Sequence, residues 1–284
     1  MTRWLVVGGG SAGCVVAARL SEVPTNDVVL IEAGPDHGAG VGRPGDPVLD
    51  RPERIAARTL VVRREGLAPQ TYAQGRGLGG SSLVNGGVII GDPSEAAAGH
   101  ALPVEPVTDP GPVAAAVLAT TPDASAVSVV RRDGRRVSAA DAYLRPVLDR
   151  ENLTVMCDTV VERIVLDRRR AVGVVTGAGD ELEADRVVLC AGAIRTPALL
   201  LRSGVDTPGV GEGLQDHVGV AISFDLRHPT REPVAIGASV ERPGRQIVVM
   251  DRLPGRPEMG ALLAGHLAVR SEGRVSLPDP AGPP

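Results

Sequence analysis

Residues 4–34, WLVVGGGSAGCVVAARLSEVPTNDVVLIEAG, decide the fold. A short apolar run leads into the motif Gly8-x-Gly10-x-x-Gly13, which opens an apolar helical stretch, and a second apolar run then ends on Glu32. This order is typical of the strand, glycine turn, helix and strand that together bind a dinucleotide. The sequence therefore predicts an α/β chain with a Rossmann-like FAD/NAD(P)-binding type of domain.

The residues of this unit have separate roles. Gly8 permits a tight turn, Gly10 lets the backbone approach a pyrophosphate, and Gly13 lets the helix pack closely on the strand. The helix N-terminus offers unpaired N–H groups and a partial positive charge to the phosphates, and Glu32 lies where a carboxylate binds the ribose hydroxyls. The predicted ligand contacts in this unit are Gly8, Gly10, Ser11, Ala12, Gly13, Glu32 and Ala33.

The composition indicates a packed protein and excludes several classes. Of the 284 residues, 43% are hydrophobic, but only Trp4, Tyr72, Tyr143 and Phe224 are aromatic, so the core must be aliphatic. The net charge is −4 and the sequence has no basic stripe, which gives nucleic-acid binding no support. We find no membrane-spanning run and no signal-peptide pattern, and we therefore expect a cytoplasmic location.

The arginine clusters and the cysteines are predicted to be structural. The clusters at 131–136 and 168–170 fall where hairpin tips are expected, so we interpret them as solvated turns. Cys14, Cys157 and Cys190 have neither the number nor the spacing of a disulfide framework or a metal site, and we predict no metal. Cys14 opens the first helix, where we expect a small packing residue rather than a reactive thiol.

A second glycine-rich segment, GRGLGGSSLVNGG, occupies residues 75–87. This density of glycine disfavours a stable helix or strand, but it allows backbone N–H groups to approach a flat or anionic ligand. Asn85 adds a side chain that both donates and accepts hydrogen bonds. After a turn at 33–36, an irregular stretch that runs to about residue 74 is predicted to form a lid or wrap over the ligand, with disorder of part of it as the alternative. The predicted contacts in the second segment are Gly79, Gly80, Ser81, Asn85 and Gly86.

Several segments, in the same order along the chain, resemble the glucose–methanol–choline (GMC) oxidoreductase family. The opening unit is similar to the family's flavin-binding start, and residues 75–86 resemble its first signature. Residues 192–204, GAIRTPALLLRSG, are similar to its second signature. Shorter matches lie at 136–146, 152–164 and 211–217.

The resemblance implies a flavoprotein that oxidises the CH–OH group of a small alcohol. In the family, a hydride leaves the carbinol carbon for flavin N5 while a base takes the hydroxyl proton. FAD is the implied cofactor, with Val161 on the strand that passes the adenine. Val84 stands where some members attach the flavin covalently through a histidine, so we expect non-covalent binding.

The resemblance leaves the electron acceptor open between oxygen and a carrier. Asn85-Gly86-Gly87, a short connector and the composition also resemble the mycofactocin-associated branch of the family. Membership of that branch would imply that electrons pass to a redox carrier rather than to oxygen.

The same resemblance divides the chain into segments. They are 1–90, the first part of a FAD-binding domain; 91–137, an abbreviated connector; 138–217, the second part; and 218–284, the start of a partial antiparallel-sheet substrate domain. In the last segment we expect strands at 218–226, 246–251, 261–269 and 274–277. Family members continue further, so a C-terminally truncated chain is expected, whose incomplete sheet needs a partner chain or a second copy as cover.

We predict no catalytic residue. The family's catalytic histidine pair lies in the C-terminal part, and we interpret the five histidines here as structural or surface residues: His37, His100, His217, His228 and His266. Three readings stay open: a GMC-type alcohol dehydrogenase impaired by truncation, a non-catalytic flavin-binding protein or half-enzyme completed by a partner chain, and a NAD(P)-binding fold used for regulation. The loop at 75–85 disfavours the third, because it suits a flavin ring better than a nicotinamide.

Overall fold

The computed structural model describes residues 1–40, 52–61, 68–90, 102–205, 207–229, 235–253 and 256–277. Within these ranges the α-helices are α1 (Ser11–Leu20), α2 (Pro112–Thr120) and α3 (Gly192–Arg202). The strands are β1 (Thr2–Val7), β2 (Asn26–Ile31), β3 (Ile55–Val61), β4 (Gln70–Gly75), β5 (Val88–Ile89), β6 (Val104–Pro106), β7 (Ala124–Ala126), β8 (Ser128–Arg132), β9 (Arg135–Arg136), β10 (Leu153–Met156), β11 (Val161–Asp167), β12 (Arg170–Thr176), β13 (Glu181–Glu183), β14 (Arg186–Leu189), β15 (Glu212–Leu214), β16 (Val218–Asp225), β17 (Ile236–Arg242), β18 (Arg245–Met250), β19 (Met259–His266) and β20 (Gly273–Arg274). None of the described helices combines the length and the apolar character that crossing a membrane requires.

The first sheet is parallel and has the order β10–β2–β1–β14. Both of its faces are covered, which explains why its strands are continuous apolar runs rather than alternating ones. One face packs on α1 and the segment at 140–147, around Val6 and Leu144, and the other packs on α3 and the sheet β11–β12–β13, around Leu5 and Ile31. The predicted α/β fold is confirmed, and all four strands end at the edge where the glycine motif lies.

The short helical segment at 140–147 begins with a capping box formed by Ser138 and Asp141. The N–H of Asp141 donates to Ser138 Oγ at 3.2 Å, and the N–H of Ser138 donates to Asp141 Oδ2 at 3.0 Å. Arg145 then forms ion pairs with both Asp141 and Asp36. This cluster ties the segment to the loop that follows β2.

The second large sheet is antiparallel and has the order β16–β19–β18–β17–β7. Helix α2 covers part of one face, around Ala238 and Val249. No side chain caps α2 from within its own first residues, and Asp251, directly after β18, caps it instead. The Oδ1 atom of Asp251 accepts hydrogen bonds from the N–H groups of Val113 at 2.8 Å and Ala114 at 3.0 Å. The cap therefore fixes the helix to the sheet on which it lies.

The outer strand of this sheet, β16, exposes an apolar face beside α2. Val218, Val220 and Ile222 alternate along the strand and are 65%, 63% and 60% exposed. Ile247, on the same face, is 37% exposed. We call these four residues the β16 patch. In the part of the chain that the structure describes, no strand pairs with the outer edge of β16.

The sequence predicts some of these strands and misses others. The expected strands at 218–226, 246–251 and 261–269 match β16, β18 and β19, whereas β17 was not expected, because Gly, Ala and Ser make up much of it and have low strand propensity. The expected irregular stretch from 37 to about 74 is wrong where β3 and β4 form an antiparallel hairpin. Alternation is weak in that hairpin because small and polar residues dominate it, and residues 41–51 and 62–67 lie outside the described ranges.

The prediction of solvated arginine turns is correct for 168–170 but wrong for Arg136. Arg168, Arg169 and Arg170 are exposed around the turn between β11 and β12. Arg136 follows the β8–β9 turn, yet its side chain is only 5% exposed. It lies under the second glycine segment and contacts the backbone oxygen of Ser82, which a sequence pattern of consecutive arginines does not indicate.

Candidate functional site

Two glycines of the first motif are required by the packing of the fold, independently of any ligand. Gly8 has a φ of +103°, and a Cβ atom there would lie 2.6 Å from the backbone oxygen of Cys190. A Cβ on Gly13 would lie 1.8 Å from the backbone oxygen of Gly8. Both positions therefore exclude any side chain, because the helix and the strands approach each other too closely there.

Gly10 is different because a Cβ there would make only ordinary van der Waals contacts and would clash with nothing. The nearest atoms would be the Cα of Gly80 at 3.9 Å and the backbone oxygen of Cys190 at 4.0 Å. Nothing in the fold of the described chain demands a glycine at this position. The space that a methyl group on Gly10 would fill is thus available to a ligand that approaches the backbone.

Two helix N-termini flank this space. Helices α1 and α3 follow β1 and β14, which are neighbours in the parallel sheet, so both helices begin at the same edge. In neither helix does a described side chain cap the N-terminus, and neither first turn contains an acidic residue. Unpaired N–H groups and the positive ends of two helix dipoles meet here, which favours a bound phosphate group.

The second glycine segment contacts the first through main-chain atoms. The N–H of Gly79 donates to the backbone oxygen of Gly9 at 2.7 Å, and a Cβ on Gly80 would lie 2.6 Å from the Cα of Gly10. Gly79 and Gly80 both have positive φ angles, +110° and +54°. The two segments that the sequence singles out separately therefore form one continuous surface.

Glu32 holds these segments together at the end of β2. Its Oε2 accepts a hydrogen bond from the N–H of Gly9 at 2.8 Å, and its Oε1 accepts from Gly34 at 2.9 Å and Gly77 at 3.3 Å. Burial raises the pKa of Glu32, and the three N–H groups and the charge of Arg195 offset this only in part. Oε2 retains one acceptor position, so the binding of a ribose hydroxyl by this carboxylate stays a prediction.

The remaining predicted contacts are exposed, with one exception. The six exposed residues are Ser11, Ala12, Ala33, Ser81, Asn85 and Gly86. Val161 is 8% exposed and packs in the core beneath the sheet, so only its main chain could face a ligand. The assignment of these residues to a cofactor stays a prediction.

A cavity of about 340 Å³ extends from the N-terminus of α1 to Asn85. Ser11, Ser82, Asn85 and Tyr143 are its polar side chains, and apolar side chains such as Val15 supply most of its wall. A mostly apolar cavity with a few polar groups at one side suits a flat ring with a polar edge. Ser82 lies in the second glycine segment and Tyr143 in residues 136–146, and the sequence singles out both segments. Neither residue was predicted to contact a ligand.

The histidines and cysteines do not supply an evident catalytic group. Four histidines are described, none lines this cavity, and His37 makes a 3.0 Å hydrogen bond between its Nε2 and the backbone oxygen of Arg76. His100 lies outside the described ranges. Burial raises the pKa of Cys14 to about 12 and that of Cys157 to about 11, so both thiols stay protonated at neutral pH. Cys14 is fully buried against the sheet and is the packing residue that the sequence predicts.

The sequence is similar to known proteins of one family. A family model described as GMC oxidoreductase matches residues 118–219. An uncharacterized GMC-type oxidoreductase in the thcA 5′ region of Rhodococcus erythropolis is 33% identical over 369 residues, which cover 99% of this chain and 74% of that protein. Pyridoxine 4-oxidase of Microbacterium luteolum is 32% identical over 302 residues, which cover 75% of this chain and 57% of that protein.

Solved structures share the fold. The crystal structure of pyridoxine 4-oxidase from Mesorbium loti matches with a TM-score of 0.81 at 26% identity, covering 96% of this chain and 73% of that one. An FAD-dependent oxidoreductase from Chaetomium thermophilum matches with a TM-score of 0.72, and a formate oxidase from Aspergillus oryzae, solved to study FAD modification, matches with a TM-score of 0.79. Both are below 20% identity, which shows the fold alone. The chain spans 57% of one curated relative and 74% of another, so the activity of whole relatives does not transfer to it directly.

Proposed function

Because the chain belongs to the GMC oxidoreductase family, we propose that it binds FAD non-covalently and acts on the CH–OH group of a small alcohol. The observation that carries this proposal is the uncrowded backbone at Gly10, which lies at one of two uncapped helix N-termini and next to Ser11, which lines the cavity at Asn85. A dinucleotide with a flat ring at one end requires these features in this order.

The residues along this surface support FAD as the ligand. The N–H groups at Gly10 and Ser11 would hold the pyrophosphate, and the free acceptor position on Glu32 would receive a ribose hydroxyl. The main chain at Val161 would pass the adenine. The apolar cavity wall would keep water from the ring, and Ser82 and Asn85 would bind its polar edge. Bound there, FAD supplies the ring that accepts a hydride from an alcohol.

Non-covalent attachment is supported by the side chain at position 84. Val84 is partly buried against Leu83 and has no nucleophilic atom. The cysteines cannot replace a histidine in forming such a bond, because burial raises the pKa of each of them.

We also propose the domain division at residues 90, 137 and 217. It is supported by the parallel sheet, in which two strands from 138–217 (β10 and β14) flank the two central strands from 1–90 (β2 and β1). The connector at 91–137 contributes β7 to the second sheet and pairs β8 with β5. It therefore contacts both parts of the molecule.

The relatives indicate only the chemical class of the substrate and of the electron acceptor. Named relatives act on pyridoxine and choline, both small polar alcohols, and bear the names oxidase and dehydrogenase. We propose a small alcohol as donor and leave oxygen and a carrier as alternative acceptors, of which the carrier would fit the mycofactocin-associated branch. A half-enzyme or flavin-binding protein without turnover stays the alternative, since no described histidine lines the cavity at Asn85.

Titration with FAD tests the binding proposal. We expect saturable quenching of flavin fluorescence and a yellow protein, and at least tenfold weaker binding by Gly10→Ala, whose methyl group would occupy the pyrophosphate space. Gly265→Ala is the control, because its Cβ would also meet no atom closer than 3.9 Å but lies in β19 of the other sheet. Absence of quenching by the unaltered chain would refute FAD binding.

Anaerobic mixing of the FAD-loaded protein with alcohols separates the enzyme from its alternative. A catalytic protein bleaches the flavin absorbance with pyridoxine, choline or a simple primary alcohol. Stable yellow protein with all of these donors would favour the half-enzyme or the flavin-binding protein.

A further inference from the structure

Arg136 is an unusually buried arginine, and no carboxylate of the described residues forms an ion pair with it. Its side chain is 5% exposed, and its Nη2 donates to the backbone oxygen of Ser82 and to Oδ1 of Asn85, each at 3.0 Å. Its Nε is buried and makes no hydrogen bond. Burial, and then repulsion from Arg54, lowers the pKa of Arg136 to about 10, so the guanidinium stays charged at neutral pH.

The contact with Arg136 fixes the orientation of the Asn85 amide. Arg136 and the N–H of Gly87 can only donate, so the atom of Asn85 that receives both must be the oxygen. Among the described residues nothing accepts a hydrogen bond from its Nδ2. Asn85 also lines the cavity, so the NH₂ group is the polar function that it offers to a ligand there.

Arg54 is a second buried positive charge, near enough to Arg136 to lower the pKa of Arg136 by repulsion. It is 9% exposed, precedes β3 and has a buried Nη1 atom without a partner. In the described ranges no ion pair joins either guanidinium to a carboxylate. Two buried charges that repel each other and have no carboxylate partner in the described part of the chain are unfavourable in a folded protein unless they act on something else nearby.

We propose that Arg136 is a positioning residue that holds Asn85 as a hydrogen-bond donor to the ligand ring, and that Arg136 and Arg54 together favour a ligand that gains negative charge. This inference rests on the proposed function, under which the ring is that of FAD. Reduced flavin carries more negative charge near neutral pH than oxidised flavin does. Preorganised positive charges in a partly dehydrated site stabilise the reduced form more than the oxidised form. Arg136 and Arg54 therefore raise the reduction potential of the bound cofactor.

The reduction potential of the bound cofactor tests this role without any measurement of turnover. The FAD-loaded protein is equilibrated anaerobically with a reference dye and compared with Arg136→Gln. We expect Arg136→Gln to weaken binding of reduced relative to oxidised FAD at least tenfold, which is a drop of about 30 mV for a two-electron couple. Arg136→Lys, which retains the charge but not the planar fork, should recover most of the potential.

Two more variants make the result decisive. Arg54→Gln removes a charge without breaking a contact of Asn85, so it should lower the potential even if Arg136→Gln fails to fold. Arg135→Gln removes the neighbouring exposed charge on the same strand and should leave the potential within about 5 mV, which is less than a twofold change in that affinity ratio.

The possible outcomes separate this inference from the proposal on which it rests. Unchanged potentials in both Arg136→Gln and Arg54→Gln, with FAD still bound, would overturn the role of the arginine pair alone. An unaltered chain that binds no FAD would overturn the proposed function and this inference with it.

Discussion

The Oε2 atom of Glu32 accepts a 2.8 Å hydrogen bond from the backbone N–H of Gly9 and so fastens the end of β2 to the glycine turn after β1. The other oxygen of the same carboxylate reaches Gly77 in the second glycine segment. One side chain therefore sets the relative position of the two segments that build the candidate site. A residue predicted to bind a ligand also has a structural task.

Replacing Glu32 by glutamine should destabilise the protein by about 1–3 kcal/mol, because the amide offers one acceptor oxygen to three N–H donors. Guanidinium-induced unfolding measures the loss. The matched control is Glu22→Gln, which breaks an exposed pair with Arg19 and should change the unfolding free energy by less than about 1 kcal/mol. Equal changes in the two variants would contradict the structural task of Glu32.

Two glycines of the same motif should respond differently to alanine. Gly13→Ala places a methyl group 1.8 Å from the backbone oxygen of Gly8 and should lower the unfolding free energy by about 2 kcal/mol or more. Gly10→Ala meets nothing closer than 3.9 Å and should stay within about 0.5 kcal/mol of the unaltered protein. Thermal unfolding of the two apoproteins, recorded in parallel, measures the difference. A large loss in Gly10→Ala would mean that this glycine also serves the fold.

The stability of Asp251→Asn relative to the unaltered protein should depend on pH. Burial raises the pKa of Asp251, and the N–H groups of Ala114 and Val113 offset this only in part. A carboxyl with a raised folded pKa contributes its full stability below the unfolded pKa of about 4 and loses it as the pH rises through the folded pKa. Asparagine keeps the acceptor for α2 and does not titrate. The stability of Asp251→Asn relative to the unaltered protein should therefore increase from pH 4 upward and then level off.

Urea unfolding at a series of pH values between 4 and 8 measures this dependence. Asp251→Ala serves as the comparison, because it removes the cap itself and should lose about 1–2 kcal/mol at pH 5. A difference between Asp251→Asn and the unaltered protein that is constant across the series would show that the carboxyl has an ordinary pKa.

The β16 patch should promote self-association. Replacing Val218 and Val220 together by threonine retains the branched shape that suits a strand but removes exposed apolar surface. We expect the apparent mass in light scattering to depend less on concentration, with the unfolding free energy unchanged within about 0.5 kcal/mol. Val160→Thr, an exposed valine on another surface, is the control. The same concentration dependence in the unaltered protein, the double variant and the control would show that the β16 patch is not the contact surface.

The parallel sheet and its glycine turns could be predicted because their signals are local. Apolar runs, the spacing of Gly8, Gly10 and Gly13, and a carboxylate after the second run lie within one short stretch. The environment of Arg136 could not be predicted, because its burial depends on contacts with residues some fifty positions earlier. The same holds for Asp251, which caps a helix far back in the sequence.

The hairpin of β3 and β4 was missed for a different reason. It forms a two-stranded sheet of its own, so neither strand needs the strict alternation that a covered sheet imposes. Gly10 illustrates the reverse case. Its motif predicts close approach to a ligand, and only the structure shows that the fold itself would tolerate a side chain there.

The position of β1 between β2 and β14 has a consequence for synthesis of the protein. Strand β2 can pair with β1 soon after both leave the ribosome, but β14 emerges only after the connector and the sheet β11–β12–β13. Until then one edge of β1 has no partner, and its apolar side chains lack part of their cover. We therefore expect the nascent chain to bind chaperones while translation continues and to complete its nucleotide-binding unit late.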